Sequence, residues 1–465
     1  MEKIKIDYNK IIGKIKPMNA VNNGPKIPLD PAVGQDTGNM RDYANLHIPY
    51  ARTHDAALSS AYGGEHVVDI HCIFPDFDAD VNDPASYDFE LTDKYLQTIE
   101  AVGTKVFYRL GESIEFRLKK YAINVPKSFI KWAQICEHII RHYNEGWANG
   151  FHMNIEYWEI WNEADGDMAD SGLNRRTWMG TPEEFYELYC VAATHLKKCF
   201  PNLKIGGPAM STIYASSWVK DFDNTSGKWL HDFFEYITSK DERVPLDFFS
   251  WHCYGFEPGC IVESAYRADE YLKKYGYAGS ESIMNEWNYV KDFSEDDWTY
   301  SLYTMNNVKG AAFVAAYMIA AHNSPVDMLM YYDARVGTGM NGLFKPLDLK
   351  PGKTYYTMKM FDALVGLGNQ VATECASEDI YALSAADANS YASMISYFTN
   401  DVNAENKVVE IDVSCADVKE FDFILLSEEK DFETVKKEFS STEHTVLYLE
   451  MKPNTVVLMQ SKDID

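Results

Sequence analysis

The sequence predicts an α/β fold, a (β/α)8 barrel followed by a smaller C-terminal β-sandwich. Three observations carry that prediction. Eight short apolar runs recur through the first three quarters of the chain, mostly separated by helical patterns. Many of those runs end in polar or glycine-rich residues. Beyond the breaker Gly366-Leu367-Gly368 the texture changes to short, alternating, β-branched segments with polar turns between them.

The runs read as strands are Lys14–Asn19, Leu46–Thr53, Lys105–Leu110, Glu156–Trp161, Lys204–Pro208, Asp247–Trp251, Ser282–Glu286 and Met328–Tyr332. They show little alternation, as expected for parallel strands buried on both faces. Between them, Phe129, Trp132, Cys136, Ile139 and Tyr143 fall at i, i+3/i+4 spacing and make one apolar helical stripe. Thr181-Pro182-Glu183-Glu184 reads as a capping box, with Phe185, Leu188, Ala192 and Leu196 as the buried face of the helix it starts. An open doubly wound sheet is the competing fold, but no G-x-G-x-x-G follows the first strand. The expected division is a barrel over 14–368 and a sandwich over 369–465, which the N-terminal segment 2–8 joins as an extra strand. Tyr391–Phe398, Lys407–Val413 and Thr445–Glu450 are strands of that sandwich.

Composition narrows the partners. A net charge of -27, spread along the chain, argues against nucleic acid, anionic membranes and polyanionic substrates. Eight scattered cysteines with no C-x-x-C pair suit a reduced, intracellular protein better than a disulfide scaffold. The first residues contain no apolar signal-peptide core, so the expected location is cytoplasmic. The longest apolar run, Gly310 to Ala321, is too short to span a bilayer. The sandwich is a surface on which a homo-oligomer could form.

The chemistry is concentrated in two strand ends. Trp161-Asn162-Glu163 closes the fourth strand and Asn285-Glu286-Trp287 the seventh. Catalytic groups of a barrel sit at the C-terminal ends of its strands. Retaining glycoside hydrolysis needs two carboxyl groups about 5–5.5 Å apart, one a proton donor and one an ionised nucleophile. For either glutamate alone, an ordinary solvated or ion-paired carboxylate is the commoner reading. Their shared strand-end position reverses that balance.

These motifs resemble the retaining barrel glycoside hydrolases, and within them glycoside hydrolase family 39, the β-xylosidase and α-L-iduronidase family. Trp158-Glu159-Ile160-Trp161-Asn162-Glu163 resembles that family's acid/base motif. Arg52-Thr53-His54-Asp55 and Trp251-His252-Cys253-Tyr254-Gly255 match on the second and sixth strands. The resemblance implies Glu163 as acid/base, Glu286 as nucleophile, and Asn162 on the sugar 2-hydroxyl. It further implies Arg52 holding Glu286 ionised, Tyr254 near Glu286 with His252 beside it, and His54 and Asp55 as hydroxyl ligands. Trp287 either stacks on the sugar or fills the barrel wall. Glu112 and Glu115, after the third strand, are either subsite residues or solvated loop charges.

The pattern departs at the eighth strand, where many members of this clan carry a Trp beneath the sugar. Here Met330-Tyr331-Tyr332-Asp333-Ala334-Arg335 stands instead, with Tyr332 as substitute platform and Asp333 or Arg335 for hydroxyls. Ala164 also follows Glu163 where Pro is usual. No cofactor and no metal site is expected, since His66, Asp69 and His71 are loosely spaced. The expected activity is exo-acting, retaining hydrolysis of short oligosaccharides or glycosides, with β-xylosidase first. The same mechanism on another sugar (α-L-arabinosidase, β-glucosidase, β-galactosidase) and a non-catalytic carbohydrate-binding barrel are the alternatives.

Overall fold

The computed structural model describes residues 2–26, 38–54, 66–166, 174–216, 219, 221–336, 339–417, 419–441 and 444–462. Its strands are β1 (Glu2–Lys14), β2 (Ala20–Asn22), β3 (Tyr50–Arg52), β4 (Lys105–Leu110), β5 (Tyr157–Ile160), β6 (Lys204–Met210), β7 (Phe248–His252), β8 (Glu281–Trp287) and β9 (Met328–Tyr331). Strands β2 to β9 are parallel and close into a barrel, β9 pairing with β2. The helices are α1 (Met40–Ala44), α2 (Ile70–Ile73), α3 (Glu90–Ala101), α4 (Phe129–Glu145), α5 (Pro182–Cys199), α6 (Ser226–Thr238), α7 (Gly259–Lys274), α8 (Glu295–Met305), α9 (Val308–His322) and α10 (Lys353–Leu367).

Local sequence explains several of these boundaries. Thr181 Oγ1 accepts the Glu184 N–H at 3.2 Å, and Glu184 returns a bond to the Thr181 N–H at 2.8 Å, so α5 starts on a complete capping box. Helix α4 ends where Gly146 adopts φ 77, a conformation open to glycine at no steric cost. The first barrel strand differs from expectation. Lys14 ends β1, and the barrel strand is Ala20–Asn22 rather than Lys14–Asn19. The physical reason is pairing: β1 runs antiparallel to β10 (Asn369–Cys375) and parallel to β13 (Lys407–Ser414), so that stretch belongs to the other sheet.

That other sheet has nine strands in the order β15-β14-β17-β12-β11-β10-β1-β13-β16. Its remaining members are β11 (Ile380–Ala386), β12 (Tyr391–Tyr397), β14 (Glu420–Leu426), β15 (Glu433–Phe439), β16 (Thr445–Met451) and β17 (Thr455–Lys462). The predicted sandwich is thus one continuous sheet rather than two. Its core holds Val409, Ile411 and Val413 from one end of the order and Phe421 and Phe423 from the other, so the sheet folds over on itself.

Helix α9 explains the apolar run noted in the sequence. It is buried almost throughout, wedged between barrel and sheet, with Phe313 against Phe398 (5.4 Å) and Ser396 Oγ bonded to Ala312 O (2.9 Å). Among the described residues no helix is long and apolar enough to cross a membrane.

The barrel interior is layered. Phe107, Tyr157, Phe248, Ile283, Met328 and Met330 form an apolar plug, with ring centroids 5.1–5.6 Å apart among the first three. Above it lies a layer of buried polar side chains: Asn22, Arg52, Glu159, Asn285 and Glu286. The apolar layer shields these groups from below, so their charges must be matched within the barrel or at its mouth.

Candidate active site

Glu163 reaches the mouth through an unusual turn. Trp161 and Glu163 both have left-handed backbones (φ 73 and 51), a cost that non-glycine residues bear only where surroundings enforce it. Three contacts enforce it here. The Trp161 N–H donates to Leu110 O (2.6 Å), the Glu163 N–H donates to Ala209 O (2.9 Å), and the Trp161 indole packs outward against Trp178 with its N–H on Thr177 O. Gly111, at φ 129, lies so close that a Cβ would stand 3.0 Å from Trp161 Cα, so no larger residue fits there.

Glu286 is placed by irregularity in its strand. The β7–β8 and β8–β9 ladders both shift register around Asn285-Glu286. In consequence two consecutive side chains reach the interior, Asn285 bonding Glu159 and Glu286 bonding Arg52.

Arg52 organises the polar layer. Its Nε donates to Glu159 Oε2 at 2.6 Å, Nη1 to Glu286 Oε1 at 2.8 Å and Asn22 Oδ1 at 3.1 Å, and Nη2 to Asn162 Oδ1 at 2.7 Å. A planar guanidinium presents such a fork without rearrangement, which a lysine could not reproduce. Tyr254 Oη donates to Glu286 Oε2 at 2.8 Å, and His54 Nε2 approaches Oε1 at 3.3 Å. Burial alone would push the Glu286 pKa up. The charges of His252, His54 and Arg52 and the His54 hydrogen bond outweigh it and hold the carboxyl well below the usual range.

His252 stands between the two glutamates. Its Nδ1 is 2.7 Å from Glu163 Oε1, and its Nε2 lies 3.6 Å from Glu286 Oε1. Carboxylate oxygens of Glu163 and Glu286 come within 4.8 Å of each other. That approach matches the short spacing of two-carboxylate sites in which one group attacks directly.

The other predicted residues divide. Arg52, His54, Asn162, His252 and Tyr254 all join the two glutamates. Asp55 lies outside the described residues. Tyr332, half-buried, stands edge-on to His54 (5.5 Å) and to Tyr254 (6.5 Å), two residues that contact Glu286. Asp333 is fully buried, bonded by Asn23 Nδ2, the Arg335 N–H and the Arg335 guanidinium. Trp287 requires a correction as a sugar-binding residue. It is completely buried and stacks on Tyr317 of α9 at 4.6 Å, on the helix side of the barrel wall. Glu115 accepts backbone N–H groups of Tyr121, Ala122 and Ile123 and organises its own loop. Glu112 is paired with His71; burial pushes its pKa up to about 7 despite that partner.

Sequence reasoning missed Glu159, Asn22 and Asn285. Glu159 carried a signal, a lone charge inside a strand that is otherwise apolar and aromatic. Asn22 and Asn285 carried none beyond their position near strand ends. Asp165 was also missed. Buried beside Glu163, it accepts both the N–H and Oγ–H of Ser211 (2.8 and 2.6 Å), and burial raises its pKa to about 6. Among the described residues, Asp69, His71 and Glu112 also cluster, but Arg109 and Ser113 already occupy the Asp69 carboxylate.

The family model for glycosyl hydrolases family 39 matches residues 3–336. The chain belongs to glycosyl hydrolase family 39. A β-xylosidase of Caldicellulosiruptor saccharolyticus is 29% identical over 177 residues, and one of Geobacillus stearothermophilus 25% over 182. Each match takes in 36% of this chain and 31% of the relative's length, so it spans about a third of those proteins. Among solved structures, a glucosidase from Croceicoccus marinus superposes with a TM-score of 0.77 at 19% identity, over all of both chains. A monomeric β-xylosidase from Caulobacter crescentus superposes at 0.68 and 16%, again over all of both chains. At such identities the structural likeness establishes the shared fold.

Proposed function

We propose that this family 39 chain is a retaining exo-glycosidase acting on short oligosaccharides or glycosides, with Glu286 as nucleophile and Glu163 as acid/base. The observation that carries this reading is the close approach of the two carboxylates, one of them held ionised. In the first step Glu286 attacks the anomeric carbon while Glu163 gives its proton to the departing glycosidic oxygen. The C–O bond breaks and a glycosyl ester forms. Glu163, now ionised, takes a proton from water, which attacks the same carbon and releases Glu286. Arg52 and Tyr254 disperse the charge of Glu286 before attack and after release. With its Oδ1 held by Arg52, Asn162 has its amide N–H groups left to donate to the sugar 2-hydroxyl. In this reading the barrel of β2 to β9 with its helices is the catalytic unit, and residues 369–465, joined by β1 (Glu2–Lys14), are an accessory unit.

The sugar is β-xylose in the preferred reading, supported by the two curated relatives. A glucoside is the second reading. Tyr332 stands at the strand-eight position, and a glucosidase is among the structures that superpose over the whole chain. A panel of aryl glycosides with several sugars in both anomeric forms decides between them. Selective release from β-xylosides supports the first reading, and from β-glucosides the second. Binding without release from any member overturns both in favour of a non-catalytic barrel.

A further inference from the structure

Among the described residues, a group of side chains on the outer helices has the composition of a metal site. Glu137 on α4 and His195 and Cys199 on α5 bring one carboxylate oxygen, one imidazole nitrogen and one thiol within 4.8 Å of one another. His195 Nε2 lies 2.7 Å from Glu137 Oε2 and 3.8 Å from Cys199 Sγ. Tetrahedral zinc with ordinary bond lengths separates its nitrogen and sulfur ligands by about 3.6 Å, and nitrogen and oxygen by about 3.4 Å. The thiol is thus already near its liganded place. The carboxylate has to withdraw by about 0.7 Å, the difference between a hydrogen bond and two bonds to a shared ion.

We propose that Glu137 Oε2, His195 Nε2 and Cys199 Sγ form a binding site for a thiophilic divalent cation, zinc by chemistry, which clips α4 to α5. The cation takes the place of the proton between His195 and Glu137. The Cys199 thiol proton leaves to water, and the proton displaced from His195 Nε2 moves to Nδ1, so that the imidazole binds in its neutral form. A water molecule completes the fourth position.

Three features of the surroundings favour this. Arg141 holds the other Glu137 oxygen, Oε1, from Nε (2.8 Å) and Nη2 (2.7 Å), orienting the carboxylate as outer partners of metal ligands do. Cys199 is the last residue of α5, where the helix dipole presents its negative end to a cation. The three side chains are half-buried, open to an ion from solvent and shielded from bulk exchange.

Titration of the full chain with Co2+ tests the site. One equivalent is expected to produce a thiolate-to-cobalt charge-transfer absorption that Zn2+ abolishes by displacement. Cys199→Ser and His195→Ala are each expected to lose the band. Cys72→Ser is expected to keep it, which separates this site from the other adjacent His–Cys pair, His71 and Cys72. Zn2+ is expected to raise the thermal midpoint of the parent chain and leave that of Cys199→Ser unmoved. No band in the parent, or a band that survives Cys199→Ser, overturns the proposal. So does a zinc-induced midpoint shift of equal size in Cys199→Ser.

Discussion

Arg52 Nη1 lies 2.8 Å from Glu286 Oε1, with the arginine wholly buried and the glutamate side chain only 6% exposed. A buried ion pair of this kind contributes little net stability while intact, but is costly to break from one side. The same guanidinium serves Glu159, Asn22 and Asn162, so its loss would strand two carboxylates.

Arg52→Met is accordingly expected to destabilise the fold by about 3–5 kcal/mol at neutral pH. The folded-state pKa of Glu286 is depressed, so its contribution is fully present above the unfolded value and is lost as pH falls through the folded value. The gap between parent and variant should therefore be widest near pH 7 and narrow below about pH 4, as the unfolded-state carboxyl takes up its proton. Urea denaturation at both pH values measures it. A gap that widens in acid contradicts the assigned charge state.

Glu286→Gln keeps the shape and removes the proposed nucleophile. Turnover of activated aryl glycosides should drop by a thousandfold or more, roughly 4 kcal/mol of transition-state stabilisation. A variant that retains most of its parent kcat sinks the assignment.

Glu163→Ala should spare substrates whose leaving groups depart unaided. The loss on alkyl glycosides or oligosaccharides should exceed that on dinitrophenyl glycosides by on the order of a hundredfold, the range of general acid catalysis. Equal losses on both classes would refute the proton-donor role.

Tyr254→Phe removes one donor from the ionised Glu286 carboxylate while leaving Arg52 in place. A hydrogen bond to a charged group is worth about 1.5–3 kcal/mol, so kcat/KM should fall roughly ten- to a hundredfold. An unchanged value would mean that the Tyr254–Glu286 bond is no stronger in the transition state than in the free enzyme.

Thr181→Ala tests the helix start far from the chemistry. Loss of its cap on Glu184 N–H should cost about 1 kcal/mol in denaturant unfolding with kcat/KM unaltered. A change in kcat/KM would tie α5 to the mouth.

Much of this molecule was readable in one dimension. The strands Lys105–Leu110 and Glu156–Trp161 show as apolar runs because both their faces are buried. The capping box at Thr181 shows because its partners are three residues apart. Glu163 and Glu286 show only as a pair, because two carboxylates that each close such a run meet at the C-terminal end of a barrel. The first barrel strand was misread because Lys14 lies on a strand whose partners, β10 and β13, come more than 350 residues later. Nothing local records such a pairing.

The sequence by itself determined the alternation of strands and helices, the change to an all-β tail and the two strand-end glutamates. These follow from periodicity and from short-range hydrogen bonding. Tertiary structure alone decided that Arg52 ties Glu159 and Glu286 together, and that His252 stands between the carboxylates. It also decided that Trp287 turns to α9 instead of the mouth, and that the sandwich is one folded sheet. Those outcomes depend on barrel closure and on register shifts in β7–β8 and β8–β9, which set which way a side chain points. Pairing between distant segments settles them, because parity along a strand is fixed only once its neighbours are in register.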